Sequence, residues 1–196
     1  MIDYEMIGDA VNFYSAKGFA RVESPWLVTK EIADITAPPG ASTYIVQKDT
    51  ETKQKTFVVS GEQSLLYIIN KGFLPGDGKV QTVTPCMRND PFDETHTKYF
   101  MKLELMHYST SDDLSSFANV DRMIDAALAY YKCHVPQSDL KVVEVPGPSK
   151  TFDIVLDGVE IGSYGHRTCL FCNWIYGTGL AEPRFSRIVN NRNMRK

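Results

Sequence analysis

The stretch VQTVTPCMRNDPFDETHTKYFMKLELMHY, Val80 to Tyr108, decides the fold. Val80 to Met87 is β-branched and apolar enough for a buried strand, Asn89 to Thr97 is a polar loop with a proline near its start, and Phe100 to Tyr108 alternates apolar and polar residues. The pattern predicts two antiparallel strands holding a charged loop between them. Arg88 closes the first strand, Asp90 follows it, His96 sits late in the loop, and Phe100 and Glu104 fall on one face of the second strand. These residue types carry chemistry. A guanidinium at a strand end can fork onto a phosphate or carboxylate, an aromatic on a sheet face offers a purine a stacking surface, and carboxylates can hold an amino group or a metal. The competing reading is an ordinary hairpin whose Arg88 and Asp90 pair at the surface.

Outward from this hairpin, residues 4 to 17 place Met6, Ile7, Ala10, Val11 and Tyr14 at helical spacing, and Gly18 ends that helix. Phe19 to Ser24 alternates as a strand up to Pro25, and a short helix follows near Lys30. Thr43 to Gln47 and Thr56 to Val59 read as strands, with turns at Pro38-Pro39-Gly40 and Asp49 to Lys55. Ser60 caps a helix whose buried face is Leu65, Leu66, Ile68 and Ile69, and Gln63 is placed to complete a capping box with it. A further helix is predicted from Ser109 to Asp112 onward, with Val120, Met123, Ile124, Ala127, Leu128 and Tyr131 as its apolar stripe and Pro136 as its stop. Lys141 to Val145 is a strand. Asp157-Gly158 between two β-type runs signals a tight hairpin, and pairing across it brings Asp153 and Glu160 close enough to share a divalent ion with bound phosphates. The alternative for that pair is a hairpin with charged rims.

At 196 residues and 43% apolar composition the chain can bury one substantial core, so a single domain over residues 1–196 is expected. No apolar run reaches a membrane span, and the N-terminus is acidic and amphipathic, unlike a signal peptide; a cytoplasmic protein without membrane contact is the expectation. A formal charge of -3 gives no general attraction to nucleic acid, although Arg184 to Lys196 carries five basic residues and no acid. Four cysteines do not suggest a disulfide framework. His166, Cys169 and Cys172 have a zinc-like spacing that only the distant Cys86 or Cys133 can complete, and buried free thiols are the expected outcome.

The 80–108 stretch resembles motif 2 of the class II aminoacyl-tRNA synthetases, in which a strand ends Phe-Arg-x-Glu, a loop carries His or Arg, and a second strand begins Glu-Phe and runs to Met-Leu-Glu. The matching residues are Met87, Arg88, Asp90, His96, Tyr99, Phe100, Lys102, Leu103 and Glu104, with Met87, Asp90 and Tyr99 departing from the usual types. Residues 5 to 25 resemble motif 1, which packs against its twin in a dimer. Gln63 is the nearest match to a substrate-contacting glutamine of the aspartate, asparagine and lysine subgroup. Phe152 to Arg167 is similar to the segment of the aspartyl-type enzymes whose Asp and Glu serve magnesium and ATP and whose arginine holds the substrate's side-chain carboxylate; here these are Asp153, Glu160 and Arg167. Tyr176 to Phe185 resembles motif 3, a Gly-rich strand, whose glycines let the backbone approach the nucleotide closely, entering a helix whose arginine, here Arg184, meets the γ-phosphate. Fewer than ten residues separate Arg167 from this segment, where the family has several tens, and Pro183 stands where the helix begins.

The resemblance implies an α+β domain, an antiparallel sheet flanked by helices, without an anticodon-binding domain, similar to the family's stripped paralogues such as aspartate-ammonia ligase. It implies an ATP- and Mg2+-dependent ligase that activates an amino acid as its adenylate and passes it to an amine, hydroxyl or thiol. Arg88 and Arg184 carry the catalysis; Arg88, Asp90, His96, Phe100 and Arg184 bind ATP; Gln63, Glu104 and Arg167 bind the amino acid; Asp153 and Glu160 hold metal. A homodimer is implied, with tRNA as one candidate acceptor. Because a buried unpaired arginine is costly, Arg167 suggests aspartate as substrate, while Tyr164 and His166 can narrow the pocket or add a titrating donor. A non-catalytic paralogue used for dimerisation or regulation, and a small true synthetase, are the alternatives.

Overall fold

The computed structural model describes residues 1–37, 43–48, 54–89, 99–147 and 149–194. In chain order the elements are α1 (Tyr4–Ala16), β1 (Ala20–Arg21), β2 (Leu27–Thr29), α2 (Lys30–Asp34), β3 (Ile45–Lys48), β4 (Gln54–Phe57), α3 (Gly61–Asn70), β5 (Asp77–Met87), β6 (Tyr99–Ser109), α4 (Phe117–Tyr131), β7 (Leu140–Val145), β8 (Thr151–Leu156), β9 (Val159–Cys169), β10 (Cys172–Glu182) and α5 (Arg184–Asn193). Seven strands form the main sheet in the order β1-β5-β6-β10-β9-β8-β7, and β2-β4-β3 form a small one. Every neighbouring pair in the main sheet is antiparallel except β1 with β5. The α+β architecture expected from the sequence is therefore present.

The period of two in β6 sorts the core. Leu103 and Leu105 join one apolar cluster, with Ile7, Val11 and Tyr14 of α1, Met123, Ile124 and Ala127 of α4, and Phe185 of α5. Met106 and Tyr108 join another on the opposite side, with Leu65, Leu66 and Ile69 of α3, Ile32 of α2 and Trp174 of β10. The sheet thus separates two helical layers. On the α3 side, the part of the sheet face that carries Phe100 and Lys102 is left open for a cleft.

Local chemistry sets the element ends. The Asp3 carboxylate accepts from Met6 N at 2.9 Å and caps α1, and Gly18, at φ +88, ends it. The strand expected over Phe19 to Ser24 keeps only two ladder residues, because the chain turns at Pro25 to enter β2. The helix expected from Ser109 starts instead at Phe117: Ser109 is still paired with Asp77 and Asn173, and its hydroxyl accepts from Ser111 N and Asp112 N in a turn. Asp157 and Gly158, at φ +53 and +81, make the expected tight turn between β8 and β9. The short interval before the motif 3-like segment is accommodated by a turn at Leu170 and Phe171, with Cys169 paired to Cys172. Pro38-Pro39-Gly40 and most of the expected turn from Asp49 lie outside the described residues.

The glycines of the 176–180 segment have a different role from the one their pattern suggests. A Cβ on Gly177 would lie 2.7 Å from Met123 Cγ, and one on Gly179 would lie 2.7 Å from Leu103 Cδ2 and 3.0 Å from Tyr14. They let α1 and α4 close onto β10, on the side of the sheet away from the cleft. The expectation that they admit a nucleotide is corrected accordingly.

Candidate functional site

A cleft of about 210 Å3 lies over β6, β9 and β10, with α3 and α5 contributing to its rim. It gathers Arg88, Phe100, Lys102, Glu160, Arg167 and Arg184, residues drawn from positions as far apart as 88 and 184. Arg88 stands just past the end of β5, and its guanidinium covers the Phe100 ring at 5.0 Å from the centroid. Cation and aromatic thus form one surface at the cleft mouth.

A bulge brings Glu160 into the cleft. Ile154 pairs with Gly162 while Val155 pairs with Glu160, which leaves Ile161 as the extra residue of β9. Ile161 turns into the core, and Glu160 and Ser163 line the cleft. Arg184, the first residue of α5, donates to the Glu160 carbonyl at 3.0 Å, and its guanidinium lies 3.5 Å from Glu160 Oε1. The start of α5 is set by Glu182, whose buried carboxylate accepts from Ser186 N at 3.0 Å and so caps the helix. Asp153 pairs with Ser163 behind Glu160 and does not line the cleft. Burial raises its carboxyl pKa; the Ser163 hydrogen bond opposes this and the charge of Glu160 adds to it.

Two charge clusters lie deeper. Gly61 opens α3 so close to β6 that an added Cβ would sit 2.9 Å from Glu104 Cβ, and this contact brings the helix start down onto the strand. Ser60 donates to Glu104 Oε2 at 2.6 Å, and Lys102 lies 2.9 Å from the same oxygen. Glu104 is fully buried, and among the described residues no hydrogen-bond partner reaches its Oε1. Burial works to lower the Lys102 pKa, but the charge and hydrogen bond of Glu104, joined by the charges of Cys86 and Glu62, together outweigh it and raise the pKa. Next to this cluster, Arg167 donates to Glu62 Oε2 at 2.7 Å, the Trp174 indole donates to Glu62 Oε1 at 2.6 Å, and the Arg167 guanidinium stacks over Tyr176 at 4.3 Å. Burial pushes the Glu62 carboxyl upward; Arg167 and the indole N–H work against that.

Of the residues the sequence points to, Arg88, Phe100, Glu160, Arg167 and Arg184 line one cleft, and Glu104 lies beneath Lys102 and Ser60. Asp90 and His96 lie outside the described residues. Gln63 is fully buried and does not line the cleft: its amide nitrogen donates to Ala33 O at 2.9 Å and its oxygen accepts from Val59 N at 2.9 Å. That pattern ties α3 to α2 and replaces the expected capping box, in which Gln63 would have reached the Ser60 backbone. Arg167 is not unpaired, as its spacing suggested, because Glu62 occupies it. Tyr164 does not narrow the pocket: it is buried on the side of α1 and α4, away from the cleft, and donates to Thr178 O at 2.7 Å. His166 is half-buried, and its electrostatic neighbour is Asp113, on the approach to α4. All four cysteines are free thiols, and no group of three or more metal-ligating side chains occurs among the described residues.

The sequence suggested no site role for Glu62, Lys102, Trp174 or Tyr176. Lys102 was readable, since it lies midway between Phe100 and Glu104 on the same strand face. Glu62 was masked because an acid in the first turn of a helix is ordinary surface chemistry.

No family model matches the chain, and no curated protein matches it. Solved structures do. A cytoplasmic serine-tRNA ligase from Naegleria fowleri, in complex with AMP, superposes with a TM-score of 0.70 at 20% identity over 94% of this chain and 52% of its own. A pyrrolysyl-tRNA synthetase, PylSc, from Desulfitobacterium hafniense superposes with a TM-score of 0.70 at 15% identity over 97% and 68%. A second structure of the pyrrolysyl enzyme from Desulfitobacterium hafniense gives 0.71 at 14% identity over 97% and 69%. The chain spans about half the length of the serine enzyme. Among the described residues, no helix is long and apolar enough to cross a membrane. In its large antiparallel sheet and flanking helices, this chain has the fold of class II aminoacyl-tRNA synthetase catalytic cores.

Proposed function

We propose that this protein activates an amino acid with ATP, through an aminoacyl-adenylate. The observation that carries the reading is the convergence of Arg88, stacked on Phe100, with Arg184 in one cleft of a synthetase fold. That a serine-tRNA ligase of this fold binds AMP supports a nucleotide here as well. A carboxylate oxygen of the amino acid attacks the α-phosphorus, the bond from that phosphorus to the bridging oxygen breaks, and pyrophosphate leaves. The acceptor, an amine, hydroxyl or thiol, then attacks the acyl carbon, loses its proton, and AMP departs with the bonding electrons. No side-chain nucleophile is required. The protein's part is positioning and charge stabilisation: Arg88 at the α-phosphate and reacting carboxylate, Phe100 under the adenine, and Arg184 at the γ-phosphate.

Glu160, with Asp153 behind it, suits a magnesium ion in this reading. Burial, with the charge of Glu160 adding to it, raises the proton affinity of Asp153, which a divalent cation would relieve, and magnesium takes one or two carboxylates alongside substrate phosphates. When bound, the ion would supply charge neutralisation on the departing pyrophosphate. Asp90 and His96 belong to the same proposal as ATP contacts, and Glu104 as an amino acid contact. Gln63 enters it only as support for α3, given its buried bonds. tRNA is one candidate acceptor.

Pyrophosphate exchange with a panel of amino acids is the direct test: ATP-dependent, magnesium-dependent exchange with at least one is expected, and none with any would overturn the proposal. A homodimer belongs to the same reading, since residues 5–25 resemble a dimer-forming motif and β1 lies at one end of the main sheet among the described residues. Sedimentation at micromolar concentration should show a dimer; a stable monomer would remove that part alone.

A further inference from the structure

The deep end of the cleft holds an ion pair that adenylate formation does not use. Arg167, about one-third exposed at the cleft wall, spends its guanidinium on Glu62 Oε2 at 2.7 Å and on the Tyr176 ring at 4.3 Å. The other oxygen of Glu62 holds the Trp174 indole at 2.6 Å, and Glu62 itself is buried. A ligand bringing its own side-chain carboxylate to Arg167 faces two unfavourable routes. It can share the guanidinium with Glu62, setting two like charges together in a partly dry pocket. Or it can displace Glu62, which leaves a buried carboxylate without its cation and the indole N–H without its acceptor.

Of the spare polar atoms nearby, one is a carboxylate oxygen that can only accept and the other a hydroxyl that can accept or donate. Glu104 Oε1 and Thr36 Oγ1 are buried and, among the described residues, without hydrogen-bond partners. Thr36 lines the cleft, and Glu104 lies directly under Ser60 and Lys102, which also line it. Lys102 does not offer a free cation in compensation, because Glu104 Oε2 holds it at 2.9 Å. A cleft floor whose cations, Lys102 and Arg167, are partnered internally and whose unmatched oxygens include a carboxylate calls for a ligand that donates.

We infer that Glu62 determines specificity: by occupying Arg167 it turns the pocket away from amino acids with a side-chain carboxylate and toward those whose uncharged side chain carries an N–H or O–H donor. This rests on the adenylate reading and replaces aspartate as the favoured substrate.

The test uses stable adenylate mimics, the 5′-O-sulfamoyl adenosines of aspartate, asparagine and serine, titrated calorimetrically into the full chain and into Glu62→Gln, with ATP titrated separately. The aspartyl mimic should bind the wild-type chain at least about tenfold more weakly than the better of the two neutral mimics, and Glu62→Gln should close that gap by about tenfold or more. Equal or tighter binding of the aspartyl mimic by the wild-type chain overturns the inference, as does a folded Glu62→Gln with an unchanged ratio. Should Glu62→Gln fail to fold, the wild-type ratio decides alone. ATP binding with the wrong order of mimics, or with neither neutral mimic bound, defeats this inference only; no binding of ATP or of any mimic defeats the adenylate reading beneath it.

Discussion

The mouth and the floor of the cleft are both rich in charge, yet they hold it differently. At the mouth, Arg88 rests on an aromatic ring and Arg184 reaches an exposed glutamate at 3.5 Å; both cations are partly solvated. On the floor, Glu62, Arg167 and Trp174 are joined by contacts of 2.6 to 2.7 Å, and Ser60, Lys102 and Glu104 by contacts of 2.6 to 2.9 Å. The difference teaches where a ligand can contribute energy. Loosely held surface cations gain by meeting phosphates, since the partners they give up are worth little. Charges held tightly against the buried carboxylates Glu62 and Glu104 gain little from a new charge and serve as a fixed template for what enters.

The comparison can be broken most sharply at the mouth. Arg88→Ala should lower pyrophosphate exchange by at least about 100-fold while leaving thermal stability nearly unchanged, because the side chain meets charge in the transition state and lies outside the core. Unchanged exchange would remove the catalytic assignment of Arg88; a large loss of stability would place Arg88 among the structural charges and erase the contrast.

The floor should respond in the opposite sense. Glu62→Ala takes the acceptor from a buried indole and the partner from Arg167, and should cost about 2 kcal/mol in urea unfolding, with the ion-pair share discounted because Arg167 is one-third exposed. A cost near zero would show that the floor is no more rigid than the mouth.

The smallest effect sharpens the mouth itself. Arg184→Gln should raise the KM for ATP about tenfold with fold and stability retained, since its present contacts are one carbonyl and one exposed carboxylate. Steady-state kinetics with varied ATP checks this. An effect as large as that of Arg88→Ala would make Arg184 an equal participant in the chemistry.

The alternating pattern of Phe100 to Tyr108 and the β-branched run before it were enough to specify the central hairpin and the faces of its strands, because strand periodicity is local. The Asp157-Gly158 turn was legible for the same reason: its backbone requires φ > 0 at both positions, and the residue types say so. The apolar spacings of α1, α3 and α4 likewise announced their buried sides. What only the tertiary structure decided is who meets whom. Gly177 and Gly179 resembled a nucleotide approach, and packing against Met123, Tyr14 and Leu103 claimed them instead. Arg167 looked like a guanidinium awaiting a ligand until α3 delivered Glu62, 105 residues away in sequence, to its side. Gln63 looked like a cap or a substrate contact and was taken by Ala33 and Val59. Charge pairing across long separations depends on how helices settle on the sheet, through contacts such as Gly61 against Glu104, and no local spacing encodes that distance.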